Sequence, residues 1–382
     1  RHKRLQGDWS SDVCSSDLID LRLQHAPGTD LLRLGQQLRK NYPSEQAIWL
    51  LQQLEMYWSA LRLEAFAEPL HLYFEAQALQ MGSRWPLARR RAQLAAQRFP
   101  SGLWLEVGAG IGGDTLELAR VSQLRVTERD PQRREILRHN LQVSGLLERV
   151  QLVEGEDIPW QGAVALYADP ARRSAKGRDW RNLDPDPTTL WALNLPTCLK
   201  LAPGLDESTL PEAAILEYCS HQGVCKEAVV WTHSGPAQVS AWRYQQGTWA
   251  TAPRQEPPDV AELCPGMWLH EPEPAALRAQ SWLPEGGWRI DESLGLVATH
   301  AGVTSEWTQH FEVIDIGDAD LKSLKKLQAR YDFYPLEIKK RGFDVEPEEL
   351  RKKLPKGRSG GPGVLWLTRL AGRHRALVCR RP

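Results

Sequence analysis

Residues Leu103-Trp-Leu-Glu-Val-Gly-Ala-Gly-Ile-Gly-Gly-Asp114 constrain this chain more than any other stretch. An apolar strand run opens straight into a turn with glycines at 108, 110, 112 and 113, and a helical pattern follows. Glycine lets the backbone turn tightly and approach a ligand that a Cβ would exclude. The first turn of the next helix presents amide N–H groups with no partner inside the helix. A nucleotide-like cofactor is the natural occupant of such a turn.

A chain of 382 residues, 42% apolar and 25% charged, has the material for two or three domains with cores. No stretch approaches the roughly 18 uninterrupted apolar residues of a membrane span, and no secretory signal pattern is present, so a cytoplasmic protein is expected. The six cysteines at 14, 198, 219, 225, 264 and 379 form no CxxC pair. Reduced thiols are expected, and neither a disulfide framework nor a zinc site. His139, His221, His233, His300 and His374 show no metal-ligand spacing with Cys or carboxylates, so no metal is expected. Residues 1–19 begin without Met and carry the low-complexity run Gly7 to Leu18, which resembles translated adaptor sequence; they are read as a scar outside the fold.

The net charge is zero, yet Lys322 to Pro382 holds 17 Lys and Arg against 6 Asp and Glu, a surplus of 11. A basic module of this kind favours a polyanionic partner. Residues 20–100 carry helical apolar spacing over 30–67 and 70–98. The run Arg89-Arg90-Arg91 there reads as a solvated helix face or, alternatively, a nucleic-acid contact.

From residue 101 to about 258, short apolar runs at 103–107, 124–127, 150–153, 164–167 and 213–216 alternate with helical segments at 114–121, 131–143 and 188–201. That alternation predicts a parallel sheet with crossover helices, closed by an antiparallel pair from 228–231 and 239–249. Asp114 and Asp130 suit helix N-caps, and Pro131 suits a first helical position. A proline-rich stretch from 253 to 274 marks the passage to an α+β module, residues 259–382. Helices are expected there at 321–331 and 347–354, a strand at 336–340, and a hairpin of 364–370 with 375–380.

The glycine turn alone also satisfies the GxGxxG of dinucleotide enzymes. Acids at successive strand ends narrow the choice, because open α/β sheets bind ligands there. Glu106 lies two residues before the first glycine, where it can accept from an ammonium group, which tilts the reading towards S-adenosylmethionine. Glu128, twenty residues after Gly108, suits the ribose hydroxyls. Asp157 can accept from the adenine amine, with Ile158 packing on the ring. Tyr167-Ala-Asp-Pro-Ala-Arg-Arg173 leaves the fourth strand where the chemistry is expected.

On these motifs, residues 102–250 resemble a class I S-adenosylmethionine-dependent methyltransferase, whose fold is a Rossmann-like seven-stranded α/β sheet. Glu106 to Asp114, Asp169 to Arg173, Glu271-Pro-Glu-Pro-Ala275, Leu336 to Gly342 and Thr368 to His374 further resemble bacterial methyltransferases with a THUMP-like C-terminal domain. The resemblance implies cofactor contacts from Glu106, Gly108, Ala109, Gly110, Gly112, Asp114, Glu128, Arg129, Asp157, Ile158 and Asp169. It implies catalytic roles for Asp169, Pro170 and Arg172, and RNA contacts from Arg173, Lys339, Lys340, Arg341, Arg369 and Arg373.

Enzymes that methylate base amines carry Asp/Asn-Pro-Pro-Tyr/Phe, in which the acid or amide holds the amine and the aromatic ring stacks on the base. Here Ala171 replaces the second proline and Arg172 the ring. Arg172 can stack its guanidinium or bind phosphate instead, and Tyr167 reads as packed in the core. Pairing of Arg172 or Arg173 with Asp179, Asp184 or Asp186 is the structural alternative. The expected function is methyl transfer to an RNA base. A protein or small-molecule acceptor, and an RNA-binding protein with a non-catalytic cofactor site, are the alternatives.

Overall fold

The computed structural model describes residues 12–154, 158–172, 183–282, 284–332, 336–356 and 363–382, with residues 12–14 and 172 described by backbone alone. The chain divides into two compact units, residues 1–215 with 228–237, and residues 216–227 with 238–382.

The first unit opens with helices α1 (Asp12–Gln24), α2 (Leu31–Asn41), α3 (Ser44–Leu63), α4 (Ala76–Met81) and α5 (Trp85–Arg98). Asp30 caps α2 by accepting from Arg33 N at 3.0 Å. Leu18, Leu34, Leu38, Leu50 and Leu54 form one buried cluster. The stretch set aside as a scar therefore contributes at least its end: α1 starts at Asp12, and Leu18 is 1% exposed. The expected runs at 30–67 and 70–98 are each interrupted, because Pro43 lacks the N–H a continuous helix needs and residues 72–75 run extended.

Two buried amides complete the backbone of that extended piece. Gln53 exchanges both of its hydrogen bonds with Phe74, at 2.8 and 3.0 Å. Asn140 accepts from Tyr73 N at 2.8 Å and donates to Tyr73 O and to Ile111 O, the latter at 2.9 Å. A primary amide offers donor and acceptor side by side, as a neighbouring strand would. Asn140 thereby ties the helical region to the glycine turn.

Five parallel strands follow: β1 (Leu103–Val107), β2 (Gln123–Thr127), β3 (Val150–Val153), β4 (Ala165–Ala168) and β5 (Thr197–Leu201). Their order is β3-β2-β1-β4-β5. Beyond β6 (Ile215–His221), strand β7 (Val224–Thr232) returns antiparallel to β5 through residues 228–232. Helices α6 (Thr115–Val121), α7 (Pro131–Val143) and α8 (Pro187–Trp191) link the parallel strands. The chain runs outward from β1 on one side and resumes at β4 on the other, so a switch point lies between β1 and β4. Open α/β sheets bind their ligands there.

The helix expected at 188–201 ends at Trp191, and 197–201 is β5. Asn194, with φ 54°, and Pro196 stop the helix before the apolar run Thr197-Cys-Leu-Lys-Leu201. The expected strand at 213–216 is displaced forward as β6. The expected single strand 239–249 is a hairpin of β8 (Gln238–Gln245) and β9 (Thr248–Pro253), turned at Gln246 and Gly247 with φ 49° and 81°. Among the described residues the sheet consequently counts nine strands, where seven were expected. The two additions are β5 and β9.

In the second unit, a seven-stranded sheet contains β10 (Trp268–Pro272), β11 (Val297–Thr299), β12 (Thr308–Asp318), β13 (Leu336–Lys340), β14 (Gly363–Leu370) and β15 (Arg373–Arg380), with a two-residue strand Trp288–Arg289 at one edge. Helices α9 (Pro274–Ala279), α10 (Leu321–Tyr331) and α11 (Pro347–Lys353) belong to this unit. Alternation along β14 sends Val364 and Trp366 to one core with Phe311 and Leu377, and Leu365 and Leu367 to another with Leu324 and Leu350. The hairpin turn is tighter than expected. Ala371 and Gly372, at φ 49° and 75°, form it alone, and Arg373 pairs with Leu370.

Candidate active site

Strand register assembles the site. Val107 stands opposite Ala168, and Ala168 opposite Leu199. One residue further, Gly108, Asp169 and Lys200 meet at three strand ends. A Cβ on Gly108 would lie 3.7 Å from the Asp169 carbonyl oxygen, and the Asp169 carboxylate pairs with the Lys200 ammonium. Gly110 and Gly112 have φ of 60° and 99°. A Cβ at 112 would strike Leu137 Cδ1 at 2.8 Å, whereas nothing lies within 4 Å of the corresponding place at 110. Gly112 is thus required by packing against α7, and Gly110 edges an open cradle.

Glu106, on β1, is 1% exposed. Thr115 Oγ1 donates to its Oε1 at 3.0 Å, while Oε2 is buried with no hydrogen-bond partner among the described residues. Burial pushes its pKa up to about 8, with the nearby Asp114 carboxylate adding to the shift.

Asp114 occupies the N-cap position of α6 but does not cap with its side chain. Its carboxylate instead accepts from Ser83 Oγ at 2.7 Å and from the Arg91 guanidinium. Burial raises Asp114, but Arg91 and Lys200 outweigh it and bring the pKa to about 2. Ser83 Oγ in turn accepts from Arg91 Nη2 at 2.7 Å and from Lys200 Nζ at 3.0 Å. A chain of contacts therefore runs Asp169, Lys200, Ser83, Asp114 and Arg91. Asp169 keeps a third of its side chain open, at 33%. Burial raises its pKa, and Lys200 opposes the rise.

Two of the three arginines in the basic run on α5 are buried, so the run is not a solvated face. Arg91 and Arg90 are 1% and 6% exposed, and Arg89 makes a two-pronged pair with Glu117 at 3.0 and 3.3 Å. α5 packs on α6, where Glu117 pairs with Arg89 and the preceding Asp114 with Arg91.

Glu128 follows β2 and is buried. Gly110 N donates to its Oε2 at 2.7 Å and Asp130 N to its Oε1 at 2.8 Å, which leaves a lone pair on each oxygen. Asp130 caps α7 as expected, accepting from Gln132 N and Arg133 N. Arg129 points elsewhere: 73% of its side chain is exposed, and it pairs with Asp184 at 3.0 Å. Ile158 is half-buried and Pro170 buried. Residues 171–172 form a short ladder with 183–184. Asp157, Arg173, Asp179 and Trp180, with the side chain of Arg172, lie outside the described residues. Tyr167 is buried, with its ring centroid 5.8 Å from the Arg91 guanidinium.

In the second unit, Lys339 Nζ lies 2.6 Å from Glu271 Oε2, and Arg341 3.7 Å from Glu271 Oε1. Arg369 bonds Ser293 Oγ at 2.6 Å and lies 3.7 Å from Asp291. Lys340, which donates to Val345 O at 2.5 Å, and Arg373, at the hairpin tip, are exposed.

Sequence reasoning found Glu106, Glu128, Asp169 and the glycines, which the fold brings together. It missed Ser83, Arg91, Thr115 and Lys200. Lys200 was hidden by the misplaced helix. Ser83 and Arg91 had no local signal, since their partner lies more than twenty residues away.

A parallel sheet that reverses between β1 and β4, with a glycine turn after β1, has the class I methyltransferase architecture. Comparisons agree. Residues 308–381 match the family described as THUMP domain-like. An uncharacterised S-adenosylmethionine-dependent methyltransferase of Mycobacterium tuberculosis, in strains CDC 1551 / Oshkosh and H37Rv, is 26% identical over 330 residues, covering 80% of this chain and 88% of the relative. The crystal structure of a provisionally assigned methyltransferase from Porphyromonas gingivalis W83 aligns with a TM-score of 0.67 at 17% identity, over 97% of both chains. By these likenesses the chain is similar to S-adenosylmethionine-dependent methyltransferases, has the class I fold and carries a THUMP-like C-terminal segment.

Proposed function

We propose that this protein moves the methyl group of S-adenosylmethionine to a base of structured RNA, with the reaction centred on Asp169. The observation that carries the cofactor half is the charge of the cradle. Three acids, Glu106, Asp114 and Asp169, face two cations, Arg91 and Lys200, and one acidic oxygen, Glu106 Oε2, has no partner among the described residues. The acidic oxygen suits a ligand that brings an ammonium group, and Arg91 and Lys200, already engaged by Asp114 and Asp169, offer little to the pyrophosphate of a dinucleotide. Glu128 offers its two remaining lone pairs to a ribose diol, with Asp157 and Ile158 assigned to the adenine.

The bound cofactor supplies a methyl group on a sulfonium that leaves as a neutral thioether. The protein's part is positioning and proton handling. Asp169 holds an acceptor amine through its open face and takes its proton as the new bond forms. Lys200, steadied by Ser83, fixes the carboxylate in place. Arg172 and Arg173 are assigned to a substrate phosphate.

The RNA half is supported by the THUMP-like match, the basic surplus after residue 322, and the exposed Lys340 and Arg373. A protein or small-molecule acceptor is favoured by one observation: Lys339, Arg341 and Arg369 are engaged by acids of their own unit. Incubation of the full chain with labelled cofactor and total bacterial RNA, followed by mass spectrometry of nucleosides, tests the proposal. A single methylated nucleoside is expected. Cofactor binding without label in RNA, and RNA affinity indifferent to salt, would move the assignment to the other acceptors.

A further inference from the structure

Glu106 differs from the other acids of the cradle in what surrounds it. The groups facing it are Thr115 and Asp114 at the start of α6, Asp169 after β4, Tyr167 opposite it on β4, and Arg91 from α5. Lys200 of β5 is engaged by Asp169 and Ser83, and Arg91 by Asp114 and Ser83. Two carboxylates therefore confront Glu106, while the nearby cations belong to those carboxylates. One of its oxygens is satisfied by a hydroxyl, and the other is buried without a partner among the described residues. A carboxyl in this position retains its proton near neutral pH, for burial and like charge both disfavour the anion. With Glu106 neutral, the two remaining acids and the two cations balance.

A cation entering the cradle reverses that preference. We propose that binding of S-adenosylmethionine expels the proton of Glu106, whose Oε2 then accepts a hydrogen bond from the methionine ammonium. The carboxyl O–H bond breaks, its proton passes to solvent, and one positive charge replaces another at the same oxygen. This rests on the cofactor reading above. It makes cofactor affinity a function of pH, rising about tenfold per unit from pH 6 to 7.5, as release of one proton requires.

Calorimetric titration of the full chain with S-adenosylhomocysteine, which carries the same ammonium, tests it at pH 7 in two buffers of different ionisation enthalpy. The heat should differ between buffers by an amount equal to nearly one proton released. In Glu106→Gln, which is neutral and nearly isosteric, the difference should vanish while binding persists. Binding by the native chain with equal heat in both buffers overturns the proton exchange and leaves the cofactor reading intact. No binding in either buffer overturns both. If Glu106→Gln does not fold, infrared difference spectra of the native chain decide the matter: the protonated-carboxyl band should disappear on binding, and its persistence refutes the exchange.

Discussion

In the first unit, Arg91, Lys200 and three acids are gathered at the ends of β1, β4 and β5, with Arg91, Asp114 and Glu106 almost wholly buried. In the second unit, cations meet acids at more exposed positions, from 18% and 21% for Lys339 and Glu271 to 47% and 42% for Arg381 and Glu337. Burying charge is costly unless it is paired and hydrogen-bonded, so the first arrangement persists only with every member in place. Pairs that solvent reaches are screened and contribute little each. An acid in excess inside a buried network therefore indicates a ligand, whereas paired surface cations indicate mainly local order.

The largest effect expected from that contrast is on folding. Arg91→Met leaves Asp114 buried and unbalanced and should cost about 3–5 kcal/mol in denaturant unfolding. A loss below about 1 kcal/mol would show that the network is wetter than its burial implies. Next comes chemistry. Asp169→Asn should lower methyl transfer by about 100-fold, a larger factor than its loss of cofactor affinity, as expected when a proton acceptor is removed.

The ligand-free protein should also become less stable as pH rises. Glu106 titrates at 4.5 when exposed and about 8 when folded, so the folded chain holds the proton more tightly. Its contribution is complete below pH 4.5 and disappears as pH passes through about 8, a change on the order of a few kcal/mol. Glu106→Gln should flatten this slope in thermal melts over that range. Asp114 runs the other way, its contribution lost as pH falls from 3.8 through about 2.

The smallest effects belong to the second unit. Lys340→Ala and Arg373→Ala should each weaken RNA binding uniformly and reduce the salt slope by about 1. Lys339→Met should leave RNA affinity alone and cost about 1 kcal/mol of stability. If Lys339 proves the stronger RNA determinant, the contrast between the units fails.

Much of the first unit was legible because its signals are local. The turn after β1 needs glycine for backbone reasons, and the strands are buried on both faces, so they read as continuous apolar runs. Helix α7 announced itself through Asp130-Pro131. Strands β10 and β12 were not recognised. Pro272 ends the first, and Thr308-Gln-His-Phe-Glu-Val mixes polar with apolar residues because one side is only partly covered. β5 was mistaken for helix because a five-residue apolar run carries no period long enough to separate the two.

The sequence by itself determined the strand runs β1 to β4 about the glycine turn, the acids at their ends and the basic character of the last sixty residues. These follow from backbone requirements, burial period and composition, each readable within a few neighbours. Only the tertiary structure decided which cations answer those acids. Arg91 reaches Asp114 and Lys200 reaches Asp169 across helix packing and strand register, and a Coulomb partner is chosen by distance in space, which spacing along the chain does not encode.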